Sequence, residues 1–126
     1  MNRFALFAAT LGLIALLPAH AVVPAKTDEQ LVQQATTEAV DELKLHLIKE
    51  YKRVSDITAK VRKAERVPGW RQIRVSGDAA FATWDRRERD YIWRSGKFAV
   101  EFDLTNDNEL KANTVMFDGI SRPIEP

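Results

Sequence analysis

Cysteine is absent from the 126 residues, which removes disulfide staples, thiolate metal sites and cysteine nucleophiles. Neither sign of charge is in excess, with 19 Lys and Arg against 18 Asp and Glu. A chain so balanced is not built to coat nucleic acid, where many cations must meet phosphates. Histidine stands only at positions 20 and 46, so no paired-histidine zinc motif can form. Glycine-rich phosphate loops and nucleophile elbows are missing as well. What is present, 45% hydrophobic and 29% charged residues, matches an ordinary folded protein.

The N-terminus differs in kind from the rest. Met1-Asn2-Arg3 is a short cationic start, Phe4 to Leu17 an apolar run, Pro18 a break, and Ala19-His20-Ala21 a small-residue cleavage site. That layout predicts a secretory signal peptide over 1–21, cleaved near Ala21, and a periplasmic or secreted destination. The run is about 14 residues, short of the roughly 20 that a permanent membrane helix needs. Loss of Arg3 leaves 18 basic and 18 acidic side chains in 22–126. Without cysteine in an oxidising compartment, that single domain must hold by its core alone.

Thr27-Asp28-Glu29-Gln30 reads as a capping box. No Gly or Pro follows before Pro68-Gly69, and Leu31, Val32, Ala35, Ala39, Val40, Leu43, Leu47, Tyr51, Val54, Ile57, Val61 and Ala64 keep helical spacing. One amphipathic helix is therefore expected over about 28–66. At 1.5 Å per residue it would be roughly 57 Å long. A compact body of about 105 residues is only about 35 Å across. Either the helix breaks, best at Ser55-Asp56, or something else covers part of it. Val40, Leu47, Val54 and Val61 fall seven apart, which suggests pairing with another helix, including that of a second copy of the chain.

After Pro68 the period changes to two. Strands are expected over about 70–118: Trp70 to Val75, Ala79 to Arg86, Asp90 to Arg94, Lys97 to Leu104 and Leu110 to Phe117. Turns at Ser76-Gly77-Asp78 and Ser95-Gly96 separate some of them, and 119–126 is an extended tail. Phe98, Val100, Phe102 and Leu104 alternate with Ala99, Glu101 and Asp103, the pattern of a strand buried on one face. The fold class is α+β, an N-terminal helix on a four- to five-stranded antiparallel meander. In order of elements it resembles cystatin-like and nuclear-transport-factor-like folds.

Groups that could carry chemistry are few. His46 lies between Glu42 and Glu50 at helical spacing, but reads as a half-exposed surface residue. Asp103 to Glu109 is acidic like a calcium loop, yet has no Gly at the sharp turn and no Glu at its twelfth position. Neither a catalytic residue, a metal site nor a cofactor is expected. The charged stretch from Lys44 to Arg74 holds ten bases against three acids, among them Lys49, Lys52, Arg53, Lys60, Arg62, Lys63 and Arg66. It would support at most weak contact with an anionic surface. Arginines beside aromatics at Arg86, Arg87, Arg89, Tyr91 and Trp93 fit an interface hot spot. The expected protein is a small exported, non-catalytic binding protein, meeting another envelope or secreted protein through the helix stripe and this segment. The alternative is a small-ligand carrier or minor enzyme with a pocket between helix and curled sheet, where Glu101 or Asp103 could act only if turned inward.

Overall fold

A computed structural model describes residues 25–124. The expected leader and its cleavage site lie outside the described residues. Helix α1 spans Asp28–Glu50, and four strands follow: β1 (Ser55–Arg66), β2 (Gln72–Asp85), β3 (Asp90–Leu104) and β4 (Leu110–Pro123). They form one antiparallel sheet in the order β1-β2-β3-β4. The α+β class and the antiparallel meander are as the sequence implies. Among the described residues no helix is long and apolar enough to cross a membrane.

The helix starts where expected. Thr27 Oγ1 accepts from the Gln30 amide at 3.2 Å, and Gln30 Oε1 accepts from the Thr27 amide at 3.0 Å. It ends sixteen residues before Arg66, at Glu50, with Tyr51 already extended. Residues 55–66 are a strand, which corrects the expected helix over 28–66. The cause is a β-bulge. Ile57, Ala59 and Val61 alternate as strand residues do, then pairing slips between Val61 and Lys63, and Ala64 follows. One extra residue turns a period of two into spacings of four and three, which imitate a helix face. The break near Ser55-Asp56 marks this change of element, with Arg53 and Asp56 at positive φ.

At 23 residues, α1 is about 34 Å long, matched to its own body. Leu31, Ala35, Ala39, Leu43 and Leu47 are each at most 2% exposed. Steps of four advance the buried line by about 40° each, so it winds roughly 160° around the helix. A flat sheet cannot cover such a line, and here all four strands contact the helix.

The strands curl instead of stopping. Ser76-Gly77-Asp78 and Ser95-Gly96 are not turns; they lie inside β2 and β3, and residues 119–123 of the expected extended tail pair with β3 as part of β4. Glycine is required at 77 and 96 because a Cβ there would run into the carbonyl oxygens of Lys60 and Asp118 on the adjacent strands. Phe81 and Phe117 lie two strands and four residues apart, about 16 Å in a flat sheet. Their rings are 5.4 Å apart, and Tyr51 joins them at 5.0 Å from Phe81. Pro68-Gly69, expected to stop a helix, makes the β1–β2 turn instead: Gly69 has φ 80° and the Trp70 amide donates to the Val67 carbonyl.

Candidate binding surface

The proposed helix seam is not a surface. Leu47 is fully buried, and Val54 and Val61 pack against the same core from the α1–β1 connection and from β1. Val40 alone of the four sits half-buried on the helix without belonging to that cluster. The protein's own sheet has taken the stripe, so a partner helix is no longer needed to shelter it. The basic residues do not share a helix face either. Arg62 pairs with Asp78, Lys63 with Glu65 and Arg66 with Asp28, while Lys49 belongs to α1 and Lys52 and Arg53 to the connection after it.

His46 is half-exposed on α1. Among the described residues no group of three or more His, Cys, Asp or Glu is placed to hold a metal ion. Glu101 faces away from the helix, with a carboxylate oxygen 3.9 Å from Arg74 Nε. Asp103 shares that face and accepts from Gln72. The Thr105–Glu109 segment is a hairpin loop: the Asn108 amide donates to the Thr105 carbonyl and the Glu109 amide to Thr105 Oγ1.

The residues that do come together lie at the end of the β2–β3 hairpin. Asp85 and Asp90 are the last cross-strand pair, and Trp84 stands opposite Tyr91. Those two rings meet edge to face at 5.3 Å. From the connection after α1, the Arg53 guanidinium covers Trp84 at 5.0 Å from its centroid. Thr83 Oγ1 and the Trp84 amide both donate to the Lys52 carbonyl, at 2.6 and 2.9 Å, and so fix that connection against β2. Trp93 lies two residues along from Tyr91 on the same face, with Arg122 of β4 beside it.

The tip itself is held by one carboxylate. Asp85 Oδ1 accepts from the amides of Arg87 and Glu88, at 2.8 and 3.0 Å. The backbone bonds from Glu88 and then Arg87 hold its pKa below the ordinary aspartate value, helped by the nearby charges of Arg87 and Arg94. Arg86, Arg87 and Arg89 are exposed on this turn, and among the described residues neither they nor Arg53 are in an ion pair. A groove of about 200 Å³ lies between the tip and the helix end, lined by Tyr51, Lys52, Trp84 and Arg94 among others. Arg94 lies over the Tyr51 ring at 4.8 Å, with its Nε buried and unbonded. Trp84 and Arg94 bound the stretch of arginines beside aromatics that stands out in the sequence, whereas Tyr51 is at helical spacing there and gives no sign of joining them. The Trp84–Tyr91 pairing could have been found there, because a four-residue turn after Asp85 sets them opposite each other.

Comparison with protein-family models, curated proteins and solved structures found no match.

Proposed function

We propose that this is a small exported, non-catalytic binding protein that meets an acidic face of another envelope or secreted protein through the hairpin tip. The observation that carries the reading is Arg53 stacked on the Trp84–Tyr91 pair, with exposed Arg86, Arg87 and Arg89 on the turn that joins the two strands. Among the described residues none of their guanidinium groups is in an ion pair, and two of the four sit on residues held at positive φ. Arginine and tryptophan or tyrosine in one place supply what interface hot spots use, namely planar donors beside large apolar faces. The helix seam no longer supports this reading, and the tip replaces it. Export rests on the composition of residues 1–21. A cystatin-like or nuclear-transport-factor-like outline is proposed from the order of elements alone, an analogy that does not fix function.

The test is capture from envelope extracts with the protein and with a variant carrying R86E, R87E and R89E. Partners specific to the tip are retained by the protein, lost by the variant, and released as salt rises. An identical captured set for both would end the reading.

A further inference from the structure

On the side away from α1, the sheet carries cross-strand rows of ordered composition. One row runs Lys60, Asp78, Lys97, Asp118 from β1 to β4. The next charged row toward the β1–β2 turn runs Glu65, Arg74, Glu101, Thr114. Between them lie Lys63, Ser76, Ala99 and Met116, and on the tip side lie Thr58, Ala80, Ser95 and Ile120. Alternating signs within a row stabilise one sheet by themselves. Over four strands they also make the row complementary to its own reverse.

We propose that this outer face is an interface between two copies of the chain, related by a twofold axis parallel to the strands. Such an axis lays β4 of one copy over β1 of the other, and β3 over β2, while each row stays over itself. Lys60 then faces Asp118 and Asp78 faces Lys97, each pair twice. Arg74 faces Glu101 in the second charged row, again twice. No like charges are opposed in either row. Asp78 reaches this arrangement already fixed by Arg62 Nε at 2.7 Å, a position that leaves its second oxygen for the other copy.

The apolar groups agree with the charges. Ile120 is 73% exposed and Met116 is 47% exposed, both on this face. Ile120 lines a groove of about 530 Å³ together with Thr58, Ala80, Ser95 and Gly96. In the twofold arrangement the Ile120 of the second copy aligns with Thr58, another of the lining residues. Two sheets packed face to face keep their strands within about 30°, which the axis permits.

On a flat face, four strands about 4.8 Å apart and rows about 7 Å apart would give a footprint on the order of 500 Å² per copy, an upper bound that the curl of the sheet around α1 reduces. That lies at the low end of specific interfaces, so association is expected in the micromolar range. The same axis places both hairpin tips at one end, so a dimer would present the arginine–aromatic cluster twice. The inference itself does not depend on what the tip binds.

Sedimentation velocity of the purified protein, from about 5 to 500 µM, reads the association directly. The expected result is a monomer–dimer equilibrium in which D78K and K97D each weaken association at least about tenfold. An equimolar mixture of the two variants then recovers it, because the new lysine of one faces the new aspartate of the other. Repulsion inside each variant's own sheet is unchanged by mixing, so recovery can arise only across the interface. If either variant loses the circular-dichroism spectrum of the parent, R74E and E101R carry the same test in the second row. A protein monomeric throughout the range, insensitivity to the reversals, or no recovery on mixing would each overturn the proposal.

Discussion

At Gly77 the space a Cβ would fill is occupied by the carbonyl oxygen of Lys60, and at Gly96 by that of Asp118. An added methyl group at either site meets backbone, which cannot swing aside as a side-chain end can. G77A and G96A should each destabilise the protein by about 2–4 kcal/mol, read as a lower urea midpoint. Loss of well under 1 kcal/mol in both would mean that the strands do not approach so closely. Asp85 gives a second prediction at this scale. Its folded pKa is depressed, so its contribution is present above the unfolded value and fades as pH falls through the folded one. Amide exchange at Arg87 and Glu88 should therefore be slow relative to D85A near neutrality. The difference should vanish in acid, below the usual aspartate range. Equal exchange at neutral pH would show that the carboxylate does not hold the turn.

The elements were unequally legible in the sequence. The start of α1 was plain because the capping box is a local device, and β3 from Phe98 to Leu104 was plain because its alternation is unbroken. The end of α1 was hidden by the bulge in β1, whose offset residue made Ile57, Val61 and Ala64 resemble a helix face. Gly77 and Gly96 misled for another reason: glycine serves close strand approach as well as turns, and only the neighbouring strand tells which. The hairpin tip was half legible, since Tyr91 and the arginines stand out in composition whereas the contribution of Arg53 needs the fold. Deleting Arg62 tests the bulge. Without it, Val61 and Lys63 become neighbours, the alternation is restored, and residues 63–66 keep both their faces and their partners on β2. The deletion should therefore stay within about 1 kcal/mol of R62A, which removes only an exposed ion pair worth about 0–1 kcal/mol. A much lower urea midpoint for the deletion than for R62A would argue against an extra residue at this position.

Scaled to the whole molecule, the size argument that required the expected helix to break applies to the sheet as well. Strands β2 and β3, of 14 and 15 residues, would each extend about 46–50 Å if straight, beyond a body about 35 Å across. They fit by curling around α1, so helix and sheet cannot be stable separately. The core cluster is continuous from Leu31 on the helix to Leu104 on β3, with partly buried neighbours on β1 and β4. No disulfide divides it into independent parts. Most of a helix's stability in a protein comes from packing of its apolar face, and the five residues that α1 buries, two of them alanines, are covered by the sheet. Thermal unfolding should therefore be one transition, with the helical circular-dichroism signal and the signal of the Tyr51–Phe81–Phe117 cluster lost at the same midpoint. L43A, at the centre of the contact, should lower both midpoints together by the equivalent of about 2–5 kcal/mol. L45A, on the exposed face, should leave both within about 0.5 kcal/mol of the parent. Separate midpoints, or a helical signal surviving L43A with the aromatic signal gone, would show that the sheet does not hold the helix as the winding of its buried line requires.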